Sequence, residues 1–355
     1  MIRVRARGED VRRFILEQVG DHPDDIAKVT AQRFEISRQA VNRHLRLLVA
    51  EGALVTRGAT RGLSYHLAPL STWRSTYSLS EVPQEDLVWT RDVKARLSNL
   101  PENVLDIWHY GFTEMLNNAI DHSGGQAVSV DVKRTAVSTQ IIIHDDGVGI
   151  FRKIQSALGL LDERHAILEL AKGKLTTDPR HHSGEGIFFT SRMFDLFAIL
   201  SGGVYFSHRF GNPEDWIFEK RTSVEGTLVA MELNNHTART SASVFSQFSS
   251  GPEEYGFTKT VVPVELAQVG GDKLISRSQA KRLLARVELF KTVIFDFKDV
   301  AAIGQAFADE IFRVFAKDHP AIELLDVRAN EQVRGMIARA RSRPDLDVEL
   351  PPETG

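Results

Sequence analysis

Cysteine is absent from the chain, so disulfides and thiolate metal sites are excluded. Long apolar runs are also missing. Stretches such as residues 194–200 fall far short of the roughly 20 residues a membrane-crossing helix needs. The first residues, Met1-Ile2-Arg3-Val4-Arg5, are charged and lead into no apolar signal core. Neither sign of charge dominates: a net charge of -3 excludes a uniformly basic nucleic-acid coat while leaving room for a local basic face. Repeats and low-complexity tracts are lacking too, so any division must be read from changes of pattern. What is present is 355 residues, 42% of them apolar, enough for two or three ordinary domains with cores of their own. A cytoplasmic, multidomain protein without a membrane partner is expected.

Residues 1–70 read as three helices and a hairpin. Val11, Phe14, Ile15 and Val19 recur at helical spacing over residues 9–19. Asp24 or Asp25 is placed to cap a second helix reaching Phe34. Ser37 caps a third, whose inward stripe is Ala40, Val41, Leu45, Leu48 and Val49. Two short strands, 53–57 and 63–67, flank the loop Gly58-Ala59-Thr60-Arg61-Gly62. With the stripe inward, Arg38, Gln39, Asn42, Arg43 and Arg46 lie outward, side chains suited to base edges and phosphates. Arg57 and Arg61 fall on the hairpin. Residues 1–70 hold 12 Lys/Arg against 8 Asp/Glu, a surplus of four in an otherwise acidic chain. The phrase from Ile36 to Leu45 resembles the turn and recognition helix of a winged helix-turn-helix, which implies double-stranded DNA as a partner. The same surface also suits protein contact.

Residues 71–97 read as a connector. Trp73, Tyr77 and Trp89 are too many large apolar groups for a free tether, so part of it should pack as strand and helix.

The segment 98–236 carries the chemistry. A helix over 102–122 places Glu114 and Asn118 four residues apart, on one face. The amide oxygen of Asn118 suits magnesium, a hard ion that takes oxygen ligands. Glu114 suits a general base that orients water. Strands over 128–133 and 139–144 run into Asp145-Asp146-Gly147-Val148-Gly149, where Asp146 is expected to accept the amine of adenine and Gly147 and Gly149 to let the backbone turn close to it. Ser183-Gly184-Glu185-Gly186 then opens a helix expected over 188–197, a geometry suited to phosphate. Gly226-Thr227 follows on a strand, offering the Thr227 hydroxyl.

These four elements in this order, on helix, strand, loop and strand, resemble the Bergerat-fold ATPases of the gyrase, chaperone, histidine-kinase and MutL type. The resemblance implies an α/β sandwich holding ATP and Mg2+. It gives Asn118 to the metal, Glu114 to catalysis, Asp146 to adenine, and Gly184 and Gly186 to phosphate, with Thr227 beside the base. Residues 151–183 become an ATP lid, in which Lys172, Lys174, Arg180, His181 and His182 are candidates for the γ-phosphate. Lys174 and Ser183 are taken as nucleotide contacts. His122 reads as structural, and His181-His182 lack further ligands at metal spacing. The phosphoacceptor hairpin of histidine kinases is not seen upstream, and the context of His109 does not resemble one.

Residues 255–342 alternate strand and helix. The stretch from Phe295 to Glu310 resembles a STAS-like domain, the fold of anti-anti-sigma factors. Where those carry a phosphorylatable serine, this chain has Ile303-Gly304-Gln305. The acidic, proline-containing tail 343–355 reads as disordered.

The expected architecture is therefore a Bergerat ATPase flanked by a winged helix and a small α/β STAS-like domain. The expected function is an ATP-binding, slowly hydrolysing regulator in which nucleotide state controls DNA binding or partner contacts. Protein partners or self-association would use the ATPase and STAS-like domains. One alternative is an anti-sigma-type serine/threonine kinase acting on a STAS partner. Another is an ATPase that dimerises on ATP in signalling or defence.

Overall fold

The computed structural model describes residues 2–81, 84–175, 184–211, 216–249, 256–268 and 273–342, with the side chains of 2–7, 61 and 216–222 left aside. It is a multidomain mixed α/β protein. Two compact units form, one of residues 1–150 with 190–241, the other of 151–189 with 242–355.

In the first unit, α1 (Ile2–Gln18), α2 (Ile26–Phe34) and α3 (Arg38–Ala50) precede an antiparallel hairpin of β1 (Leu54–Arg57) and β2 (Ser64–Leu67). α1 begins seven residues before the Glu9 that the apolar spacing marked, because its first two turns carry little apolar signal. Val11, Ile15, Val19, Ile26, Val41, Leu45, Leu48 and Leu54 make one core. Ser37 Oγ accepts the Ala40 N–H at 3.2 Å and starts α3 as expected. Asp25 stands at the N-cap of α2 but makes no capping bond with its side chain.

β3 (Ser71–Ser78) belongs to the expected connector yet pairs along its whole length with β4 (Ala127–Arg134). β5 (Ser138–Asp145), β6 (Leu196–Arg209) and β7 (Trp216–Asn234) complete an antiparallel sheet in the order β3-β4-β5-β7-β6. Trp73 and Tyr77 face the helical stretch 85–97. The Arg96 guanidinium lies 4.2 Å from the centre of the Trp73 ring, and the Tyr77 hydroxyl donates to Asp92 Oδ2 at 2.8 Å. The three large aromatics thus pack, as a residue count this high requires. α4 (Glu102–His122) lies on the sheet with Val104, Ile107, Trp108, Phe112, Met115, Leu116 and Ala119 buried. Full burial of side chains such as Trp108 and Phe112 contributes about 1.5–3 kcal/mol each. Gly111 is needed for this approach: a Cβ there would lie 2.4 Å from the Phe194 ring.

In the second unit, β8 (Lys259–Pro263), β9 (Thr292–Asp296) and β10 (Glu323–Val327) form a parallel sheet in the order β10-β9-β8. The expected lid is largely part of this unit. Within 151–183, α5 (Arg164–Lys172) has eight of its nine residues buried, His165 to Lys172. The Lys172 main-chain carbonyl accepts the Thr260 hydroxyl of β8 at 2.6 Å. Phe188, Phe189, Phe248, Phe257 and Phe290 form an aromatic core, with Phe188 and Phe257 centroids 4.4 Å apart. α6 (Gly186–Met193) ends four residues before the expected Phe197, because Asp195 stops it. The Asp195 carboxylate accepts the Asn234 N–H at 2.6 Å and pairs with Arg239 at 2.8 Å, which starts β6. α7 (Arg277–Leu284) is opened by a capping box of Ser276 and Gln279, and α8 (Glu331–Ser342) is the last helix among the described residues. The tail expected to be disordered lies outside the described residues.

Candidate functional site

The expected nucleotide residues of the first unit fall on α4, at the end of β5 and on β7. Glu114 and Asn118 are both half-buried on α4. The Asn118 amide makes no hydrogen bond among the described residues, an open oxygen donor at the helix end. Asp145 ends β5 opposite Thr227 of β7. Its Oδ1 accepts the Gly147 N–H at 2.9 Å and the Thr227 N–H at 3.2 Å, while Oδ2 accepts nothing among the described residues. Burial raises the Asp145 pKa above the usual carboxylate range, and those two backbone bonds oppose the rise. Thr227 Oγ1 accepts the Ile150 N–H at 3.0 Å, which leaves the hydroxyl proton to donate.

Glycine is required around this corner. Gly226 has φ +72°, and a Cβ on it would lie 1.9 Å from the Asp145 carbonyl oxygen. Gly149 has φ +88° and rests against Ser201, whose buried hydroxyl donates to the Gly226 carbonyl at 2.9 Å. Ser201 carried no motif. Its only trace in the sequence is a small polar residue within an apolar strand.

Asp146 does not occupy the place assigned to it. Its side chain is exposed, and its Oδ1 accepts the N–H groups of Gln126 at 2.7 Å and Ala127 at 2.9 Å. Those bonds hold its carboxyl below the usual range. The buried carboxylate beside Thr227 is Asp145. The reason is the strand period: Thr139, Ile141, Ile143 and Asp145 share the buried face of β5, so Asp146 turns the other way.

The remaining nucleotide-site candidates lie in the second unit or outside the described residues. Ser183, Arg180, His181 and His182 lie outside the described residues. Gly184 has φ +72° and its carbonyl accepts the Leu175 N–H at 2.9 Å; a Cβ on it would meet the Leu175 backbone at 2.5 Å. Gly186 opens α6. Lys172 is no phosphate ligand. It is fully buried, and its Nζ donates to Glu169 Oε1 at 2.7 Å, Ala285 O at 2.8 Å and Arg282 O at 3.1 Å. Lys174 is likewise engaged: its Nζ donates to Leu289 O at 3.0 Å and lies 4.8 Å from the centre of the Phe290 ring. Burial lowers the Lys174 pKa, and burial raises that of Glu185.

On α3, Arg38, Gln39, Asn42, Arg43 and Arg46 are all exposed, as is Arg57 at the end of β1. None of these arginines has a carboxylate partner among the described residues. Arg61 sits in the turn Thr60–Gly62, its side chain undescribed. A cleft of about 1020 Å³ separates this module from the β4–β5 turn and the end of β7, lined by Arg12, Glu51, Val137, Asn234 and His236 among others. That is the end of the sheet opposite Asp145, about 24 Å away along the eight residues of β5.

In the second unit the stretch Ile303-Gly304-Gln305, which carries no hydroxyl, holds Gly304 at the start of a helix. Its N–H donates to Leu274 O at 2.7 Å, and a Cβ there would lie 2.8 Å from the Ile275 Cα. A serine has no room.

Comparison with known families bears on this last region. Residues 279–334 match the family model of a STAS-like domain of unknown function (DUF4325). The C-terminal region of the chain thus contains a STAS-like domain. No curated protein matches the chain. Among the described residues no helix is long and apolar enough to cross a membrane, and no group of three or more His, Asp or Glu is placed to hold a metal.

Proposed function

We propose that the central sheet and α4 bind Mg-ATP as a Bergerat-type site, and that the chain is a nucleotide-responsive regulator with a DNA-binding winged helix and a STAS-like partner module. The observation that carries this is the corner at Asp145. A buried carboxylate with one oxygen bonded to backbone and the other open, flanked by glycines that no side chain could replace, fits an adenine amine. Asn118 offers an unengaged amide oxygen on α4. A magnesium ion with one protein ligand and the remainder from phosphate and water is the ion's usual arrangement, consistent with the absence of an acidic cluster among the described residues.

In this reading Asn118 holds the metal and Asp145 accepts the adenine amine, while Thr227 donates its hydroxyl proton beside the base. Gly147 and Gly149 allow close approach. Bound magnesium would neutralise phosphate charge. Glu114, four residues before Asn118, can take a proton from water, so slow hydrolysis is within reach of the chain's own groups. Glu114→Ala should then keep nucleotide binding and lose hydrolysis by about 100-fold or more, followed as phosphate release.

Asp145→Asn replaces an acceptor oxygen by a donor on one side and should reduce the preference for ATP over GTP by about tenfold in a competition titration. A preference unchanged in the variant would remove Asp145 from the base site.

The exposed, carboxylate-free arginines of α3 support DNA as the partner of the first module. Arg43→Ala and Arg46→Ala should each weaken duplex binding and lower the slope of log affinity against log salt by about 1 where the contact is to phosphate. Equal affinity at all salt concentrations would exclude it. DNA and nucleotide would sit at opposite ends of β5 and β7, so any coupling runs through the sheet rather than by direct contact.

Phosphorylation of the chain's own STAS-like domain at the expected place is disfavoured by Gly304, which leaves a kinase reading dependent on a separate STAS protein.

A further inference from the structure

Two adjacent aspartates stand at the nucleotide corner, and strand alternation turns them to opposite sides. Asp146 is exposed, yet its Oδ1 is bound to the N–H groups of Gln126 at 2.7 Å and Ala127 at 2.9 Å. These amides lie where the chain passes from α4 into β4. Two main-chain bonds run beside them: the Val148 N–H donates to Ser123 O at 2.9 Å, and the Asp146 N–H to Ala127 O at 3.3 Å. Space is as tight as the bonding. A Cβ on Gly125 would lie 2.3 Å from Asp146 Oδ1, and one on Gly147 would lie 2.2 Å from Ser123 O. The glycine loop is thereby fastened to the end of α4, little more than one turn beyond Asn118.

We infer that Asp146 is a positioning residue of the nucleotide site, a clamp that fixes the end of α4 against the glycine loop and so sets the separation of Asn118 from Asp145. It does this without touching nucleotide, and the inference rests on the nucleotide reading above. A carboxylate suits the task, since one oxygen can accept from two successive amides and charge-assisted bonds are about twice as strong as neutral ones. The geometric demand is also clear. The metal ligand is on a helix and the base acceptor on a strand, and sites of this kind lose affinity when their parts shift by about 1 Å. The chain leaves α4 through the loop that Asp146 holds before it enters β4, the strand paired with β5.

The test compares wild type, Asp146→Ala, Asp146→Asn and Gly125→Ala in the full chain. Three quantities are read: Kd for Mg-ATP, the ATP-over-GTP preference, and hydrogen exchange at the Gln126 and Ala127 amides without nucleotide. Asp146→Ala should weaken Mg-ATP about tenfold with the base preference intact, and the two amides should exchange faster. Asp146→Asn keeps an acceptor oxygen and should recover most of the affinity. Gly125→Ala should reproduce the loss although the carboxylate remains. Wild-type affinity in Asp146→Ala would overturn the clamp, as would a loss of base preference, which would place Asp146 on the base itself. If the wild-type chain binds no nucleotide, the nucleotide reading falls and the positioning role with it; the wild-type titration tells the two failures apart.

Discussion

Glu169→Ala is expected to destabilise the C-terminal unit by about 3–5 kcal/mol, the usual cost of removing one partner from a buried ion pair. Lys172 is fully buried, and Glu169 is its only anionic contact within hydrogen-bond distance among the described residues. Glu169 also receives Arg286 at 3.0 Å. Without it, the buried ammonium would keep the carbonyls of Arg282 and Ala285 but no carboxylate within hydrogen-bond distance among the described residues. A loss of this size is a large fraction of the roughly 5–15 kcal/mol that holds a typical protein folded. Burial already lowers the Lys172 pKa in the wild type, and Glu169 opposes that fall. Removing Glu169 lowers it further. Between that depressed value and the ordinary 10.5, the unfolded chain binds a proton that the folded chain does not. Stability of the variant should therefore rise with pH across this window. Glu169→Leu combined with Lys172→Met should cost less than the single change, because no buried ammonium is left unpaired and the partly exposed Arg286 keeps the Gly173 and Lys174 carbonyls. Denaturant unfolding at several pH values checks all three statements.

Asn118→Ala is expected to remove magnesium-dependent nucleotide binding, by about 100-fold or more if the amide is the metal's one protein ligand. The substitution should be well tolerated by the fold. Asn118 is half-buried, makes no hydrogen bond with its side chain among the described residues, and alanine is the best helix former. Unfolding of the variant should thus match wild type within about 0.5 kcal/mol, which separates a lost ligand from a lost fold. Residual metal-free binding of ATP through Asp145 should survive. If the variant keeps the wild-type response to magnesium, the metal lies elsewhere.

Much of this was legible in the sequence where the signal is local. The apolar spacing of α4, the alternation of β4 and β5, the cap at Ser37 and the buried run of β9 each follow from side chains within a few positions of one another. The β3 pairing was less so, since Trp73 and Tyr77 announced packing without naming β4 as the partner. The choice between Asp145 and Asp146 was present twice in the sequence, in the strand period and in the spacing of Asp-x-Gly-x-Gly, which fits Asp145, Gly147 and Gly149 and not Asp146. The segment 151–183 was not readable as part of the second unit. Lys172 and Lys174 look like mobile cations in a loop, and what buries them comes from Arg282, Ala285 and Leu289, more than a hundred residues later. Phe194 and Phe197, three apart, fit helical spacing; the pairing of Asp195 with Arg239 and Asn234 ends the helix and starts the strand instead.

Binding of Mg-ATP at the Asp145 corner is the proposal on which the other expectations rest. Calorimetric titration of the full chain with ATP and with GTP, each with and without magnesium, tests it most directly. Saturable binding that favours ATP and is strengthened by magnesium is the expected result. Absence of binding under all four conditions, or binding that ignores both base and metal, would contradict it.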